Sequence, residues 1–237
     1  MSKENLPGLY VHIPFCLSKC PYCDFYSETG TSMVSAWLAA LEQEMFLYKD
    51  SFQKFDTLYI GGGTPTVLEE AVLKNLFDHL HHHFQFTDDA EITVEANPGD
   101  VTGEKLHILK GCGVNRISLG VQSFDEKDLT FLKRRHTVKE AVQALDLIRS
   151  HEFSCLGVDL IYGIPGQTPD GWLKTLERAV SFYPEHISCY QLTVAENTEL
   201  WEMLQRDVIT LPDELAEEAF FLATAEYLEN NQYLHYE

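Results

Sequence analysis

The sequence predicts an α/β fold of six βα units in series, rolled into a TIM-like (β/α)6 partial barrel. Strand and helix signals alternate with a period of roughly thirty residues, as βα units require. The strand-like runs are short, near-continuous stretches of Ile, Val, Leu and Tyr, the pattern of parallel strands covered on both sides. Every chemically loaded run falls at the C-terminal end of such a strand, where barrel sites are built. A doubly wound open sheet is the rival, but no Gly-x-Gly-x-x-Gly follows a strand.

The elements follow in order. Strand 9–15 leads into a loop holding Cys16, Cys20 and Cys23, and a helical pattern covers 32–52. Strand 57–61 runs into Gly61-Gly62-Gly63-Thr64-Pro65-Thr66, then helix 69–83. Strand 91–95 closes on Glu95-Ala96-Asn97-Pro98, and helix 103–111 follows. Strand 116–120 ends in Gly120-Val121-Gln122-Ser123-Phe124, before helix 138–151. Strand 155–162 carries Asp159 ahead of Gly163-Ile164-Pro165-Gly166. Helix 169–182 starts at Thr168-Pro169, with Pro at the first turn. Strand 186–192 leads to Thr193, and Leu211-Pro212 opens a helix over 212–230. Residues 1–210 form the barrel; 211–237 supply its last helix and the start of a C-terminal region.

Composition bounds the function. A hydrophobic content of 45% over 237 residues is ordinary for a globular chain and enough for a substantial core. The net charge of −20 excludes nonspecific nucleic-acid or anionic-membrane binding, which needs a basic surface. From Val194 onward there are eleven acidic residues and one basic one, Arg206, which reads as a solvated face. No stretch is long and apolar enough to span a bilayer, and the N-terminus shows no apolar signal core. Of six Cys, three are clustered, while Cys112, Cys155 and Cys189 are scattered, which fits a reducing cytoplasm rather than a disulfide scaffold.

The Cys-x3-Cys-x2-Cys loop carries the chemistry. Structural zinc wants four closed ligands, and a cubane iron–sulfur cluster normally takes four thiolates. Three thiolates on one loop suit a metal centre with an open position; buried small hydrophobes or a labile zinc site are the plain alternatives. The Gly61–Thr64 run lets backbone groups approach a ligand, or serves only as a turn. Glu95 is a hydrogen-bond acceptor at a strand end or a helix cap. Gln122 and Asp159 are polar on apolar strands and need polar partners. Arg134 can neutralise a carboxylate or form a surface basic turn. The run His79 and His81–His83 lies late in a helix; consecutive positions do not share a face, so it reads as a polar helix end rather than a metal or heme site.

The Cys loop, with Tyr22 before its third Cys, resembles that of the radical S-adenosylmethionine (SAM) superfamily. The runs Tyr-Val-His-Ile-Pro-Phe-Cys, Gly-Gly-Gly-Thr-Pro-Thr, Val-Glu-Ala-Asn-Pro, Arg-Ile-Ser-Leu-Gly-Val-Gln-Ser-Phe and Asp-Leu-Ile-Tyr-Gly-Ile-Pro-Gly-Gln-Thr are similar, in order along essentially the whole chain, to one branch of it. That branch holds the oxygen-independent coproporphyrinogen III oxidases and the heme chaperones of HemW type. The resemblance implies a 4Fe–4S cluster on Cys16, Cys20 and Cys23, its open iron chelated by SAM. It implies that Tyr10, Tyr22, Gly62, Gly63, Thr64, Glu95, Gln122, Arg134 and Asp159, joined by Thr193, contact one or two SAM molecules. The chemistry implied is electron transfer to the sulfonium, C–S cleavage and a 5′-deoxyadenosyl radical.

Two departures separate the subfamilies. The oxidase carries a further Cys where this chain has Phe25; Cys-Asp-Phe, and His136-Thr137 after Arg134, are similar to the chaperones. The chain also stops at Glu237, before the C-terminal domain and the His-Asn-x-x-Tyr-Trp run associated with heme in the family. The implied function is a cytoplasmic heme chaperone, with heme as cargo passed to a heme-accepting protein. The enzymatic alternative is oxidative decarboxylation of coproporphyrinogen III. The implied partners are heme or a porphyrin and an electron donor, with membrane association only through an acceptor.

Overall fold

In the computed structural model, which describes residues 6–236 apart from Gln53, the main strands pair in strict chain order. The strands are β1 (Gly8–Ile13), β2 (Phe15–Cys16), β3 (Glu28–Thr29), β4 (Lys54–Gly62), β5 (Gln85–Ala96), β6 (Arg116–Gln122), β7 (Cys155–Tyr162) and β8 (His186–Gln191). The helices are α1 (Val34–Tyr48), α2 (Glu70–His83), α3 (Gly103–Gly111), α4 (Glu126–Phe131), α5 (Val138–Ser150), α6 (Pro169–Val180), α7 (Glu199–Gln205) and α8 (Glu214–Asn230). The six-stranded sheet runs β1-β4-β5-β6-β7-β8, parallel throughout. A doubly wound sheet reverses its strand order at a switch point. This one never does, so the six units form the open barrel. The N-terminal run 1–5, read above as lacking a signal core, lies outside the described residues.

The strands are not covered on both sides by apolar groups, as the sequence pattern suggested. One face is: Leu58, Ile60, Val94, Ile117, Leu119, Leu156, Val158 and Leu160 are buried in the main core with the helices. The alternate positions are polar or small and face the lumen. In register, Glu95 lies beside Ser118, and Gly120 beside Asp159, which lies beside Ser188. Because side chains alternate with a period of two, those pairs share one face. The lumen face is thus a row of hydrogen-bonding groups rather than a second core.

Helix boundaries follow local chemistry. Thr168 caps α6 by accepting from Gly171 N, with Pro169 in the first turn. Thr137 and Glu140 form a capping box that opens α5. The start of α8 falls at Glu214 rather than 212, because the Asp213 side chain accepts from Ala216 N. Helix α1 is shorter than the apolar pattern over 32–52, and the short elements β2, β3, α4 and α7 were not legible as separate signals. Trp172 of α6 is fully buried and donates its indole N–H to Thr224 of α8 at 2.7 Å, closing the last unit onto the core. No helix among the described residues is long and apolar enough to cross a membrane.

Candidate functional site

The cysteine loop is held from three directions. At its base β2 pairs with β3, Glu28 N donates to Pro14 O (2.7 Å) and Gly30 N to Cys16 O (2.8 Å). From the barrel side, Gly63 N donates to Ile13 O (2.7 Å) and Thr64 N to Phe15 O (2.8 Å). A Cβ on Gly63 would lie 2.6 Å from Phe15 O, so only glycine permits this approach. From the outer side, Leu200 N of α7 donates to Pro21 O (2.8 Å), while Leu200, Leu132, Ile161 and Leu192 form a small second core against which Tyr22 packs. The turn from Cys20 to Cys23 closes with Cys23 N donating to Cys20 O (3.1 Å).

This arrangement turns three half-buried free thiols toward one cavity of about 390 Å³ at the C-terminal ends of the strands. Tyr22, Gly62, Gly63, Thr64, Glu95, Gln122, Arg134, Asp159 and Thr193 line the same cavity. Tyr10 does not; its ring stacks on Tyr59 lower in the lumen, with centroids 5.9 Å apart. Cys112, Cys155 and Cys189 lie elsewhere, and burial pushes the Cys189 thiol up to about 12, an inert side chain. Burial, and then the neighbouring thiols, raise Cys23 as well.

The polar groups opposite the loop are held, but not used up. Glu95 accepts from Tyr59 Oη (2.8 Å) and Gly62 N (3.1 Å), so it braces the glycine run and caps no helix. Burial raises its carboxyl above the usual range, helped by Asp159 and opposed by those two donors. Asp159 is raised for the same first reason, although Ser188 and Ser118 (3.0 Å) donate to it. Arg134 is no surface turn: its guanidinium donates to Gly120 O (2.8 Å) and Cys20 Sγ (3.4 Å), and its buried Nε has no partner. Gln122 takes φ of +70° at a register shift in β6, turning its side chain into the cavity.

The two residues after Arg134 are tied to neighbouring elements. Arg135 grips Asp100 with both Nη atoms (3.2 and 2.6 Å), and His136 bonds Val121 O at 3.1 Å. Burial, then the Arg134 charge, pushes His136 down to about 4, so it is neutral at physiological pH. The sequence reading missed Tyr59, Ser118 and Tyr190, which line the lumen. In the His run, His79 and His83 do share a face, being four apart on α2, and Glu42 of α1 meets them.

Three thiols on one loop, beside half-buried carboxylates and a half-buried guanidinium at the mouth of an open six-stranded barrel, are a recognisable constellation. The sequence profile of the Radical SAM superfamily matches residues 10–179. The chain belongs to the radical SAM superfamily. Within this superfamily, the heme chaperone HemW of Bacillus subtilis is 39% identical over 211 residues, which is 87% of this chain and 56% of that protein. The heme chaperone HemW of Lactococcus lactis is 34% identical over 100% of this chain and 62% of its own length. Among solved structures, the radical SAM enzyme coproporphyrinogen III oxidase (HemN) of Escherichia coli superposes with a TM-score of 0.85 at 31% identity. That match covers 96% of this chain and 53% of the oxidase. The chain spans about half to three fifths of the length of the curated relatives it matches.

Proposed function

We propose that this chain carries the radical SAM barrel of a heme chaperone. Cys16, Cys20 and Cys23 would hold a 4Fe–4S cluster, and the cavity beside them would hold SAM. The donor set fits. No fourth Cys lines the cavity, which leaves one iron of a cubane for an outside ligand. The orphaned Nε of Arg134 supports a polar ligand in the cavity, since a buried unpaired donor costs free energy until something accepts from it.

When bound, the reduced cluster supplies an electron for SAM cleavage. The protein's part is to position and exclude water. Glu95 and Asp159 offer carboxylates to an ammonium or to ribose hydroxyls. Arg134 offers its free donor to a carboxylate, and Gly62–Thr64 presents backbone groups along one wall. An external electron donor would reduce the cluster.

The observation that carries the choice of chaperone over oxidase is Phe25. It lines the cavity beside Cys23, 65% exposed, where the oxidases are expected to bring a further thiol. The similarity to proteins named heme chaperones, across 81–100% of this chain, supports the same choice. Heme would be received and passed to an acceptor protein. The test pairs two assays under anaerobic, reducing conditions with SAM. Coproporphyrinogen III should be recovered unchanged, and heme loaded on the protein should move to an apo-acceptor, read as a shift in its Soret band. Efficient conversion to protoporphyrinogen IX would establish the oxidase instead.

A further inference from the structure

Away from the cavity, the outer surface of the barrel carries a second convergence of ligating groups. His79 and His83 sit four residues apart on α2, hence on one face, and Glu42 of the neighbouring α1 reaches across to them. His79 Nδ1 lies 3.3 Å from Glu42 Oε1, and one ligand atom from each of the three residues falls within 4.8 Å of the others. Both imidazoles are half-buried, while Glu42 is exposed, so the remaining positions around their centre open to water. Tetrahedral zinc with bonds of about 2.0–2.1 Å sets its ligand atoms roughly 3.3 Å apart, the separation already present between His79 and Glu42. The His83 ligand atom lies within 4.8 Å of the other two, so it would have to close by at most about 1.5 Å to complete that geometry.

We propose that Glu42, His79 and His83 form a divalent transition-metal site, of the kind Zn²⁺ takes, that staples α1 to α2. A simple ion pair would account for Glu42 and His79. It leaves unexplained why the second imidazole of a His-x3-His spacing turns to the same point. Two imidazoles and one carboxylate match a borderline-soft ion rather than Mg²⁺ or Ca²⁺, which prefer oxygen alone. His81 is outside the set, because its Nε2 bonds Cys112 O at 3.1 Å, and His82, although its ring lies 4.9 Å from that of His83, contributes no ligand atom to the group. Helix α2 begins beyond the strand end that borders the cavity and finishes where β5 starts, so the site lies toward the opposite end of the barrel. Its role would be structural.

The test titrates Zn²⁺ against a chromophoric chelator into the full chain carrying Cys16→Ser, Cys20→Ser and Cys23→Ser, which removes the competing thiolates. One equivalent should bind. His79→Gln and His83→Gln in that background should each weaken binding by about tenfold or more, a loss at least equal to that of disturbing a ligand's supporting shell. His81→Gln should leave it unchanged. In parallel, Zn²⁺ should raise the thermal midpoint of the chain with its own cysteines, and His83→Gln should abolish that part of the rise which a chelator-saturated control lacks. Absence of stoichiometric binding, or binding and thermal shifts indifferent to His79→Gln and His83→Gln, would overturn the site.

Discussion

Replacing Glu95 by Ala removes the acceptor that two donors now share, Tyr59 Oη at 2.8 Å and Gly62 N at 3.1 Å. Both donors border the lumen, so water can reach them and the fold should persist. The cavity loses a buried carboxylate and the brace on Gly62, the residue whose φ of +110° sets the wall beside the cysteine loop. If SAM gains one hydrogen bond to that charged carboxylate, its loss costs about 1.5–3 kcal/mol, or roughly 10- to 150-fold in affinity. Glu95→Gln keeps the shape but can no longer accept from both donors while facing a cationic group, and should fall between wild type and Ala. The assay is SAM binding by calorimetry on anaerobically reconstituted protein, with iron content measured on the same samples. Iron should stay near the wild-type level. SAM affinity within about twofold of wild type for Glu95→Ala would refute the reasoning and leave Glu95 as a purely structural brace.

Substituting Ser for Cys16, Cys20 or Cys23 should abolish stable iron loading, whereas Cys112→Ser, remote from the cavity, should load normally; equal iron in all four would remove the cluster assignment. Asp159→Asn should raise the thermal midpoint of the ligand-free chain near pH 7–8, because a carboxyl whose pKa is raised on folding stabilises the fold only at low pH and loses that contribution as pH climbs through the raised value. The gain should shrink on acidification; a lower midpoint at both pH values would mean the Ser118 and Ser188 donors outweigh burial. His136 has the opposite sign. Its folded pKa of about 4 lies below the unfolded value, so its neutral form costs nothing above pH 6.5 and destabilises by about 2 kcal/mol at pH 5. His136→Asn should therefore flatten the stability profile between pH 6.5 and 4, measured by urea unfolding. Trp172→Phe should cost about 1–3 kcal/mol through lost volume and the lost indole hydrogen bond, Thr224 keeping its own bond to Phe220 O, and should lower the midpoint by several degrees without changing iron content.

Much of this was legible in the sequence because βα punctuation is local. Each expected strand lies within or beside an observed one, and Gly61–Thr64, Glu95, Gln122 and Asp159 sit where strand ends placed them. What was not legible depends on the third dimension. Alternation along β4 and β6 hid among residues that all favour strands, so Tyr59 and Ser118 read as filler rather than as lumen groups. The placement of Arg134 could not be seen from its basic neighbours; its guanidinium turns inward to Gly120 O and Cys20 Sγ, while Arg135 and His136 after it are tied to Asp100 and Val121. Helix α7 is only seven residues long and draws its position from the Cys loop it supports, a contact no periodicity reports. The run His79 and His81–His83 read as a polar helix end because consecutive positions do not share a face, whereas His79 and His83, four apart, do share one.

The most direct test of the central claim is the EPR spectrum of the reduced, reconstituted chain with and without SAM. Three thiolates on one loop and no fourth on the cavity leave an iron open to an outside ligand, so SAM should shift the cluster's g-values, and Glu95→Ala should require more SAM for the same shift. A spectrum unchanged at saturating SAM would contradict the account, since it would mean that the cavity beside Cys16, Cys20 and Cys23 does not bring SAM to the cluster.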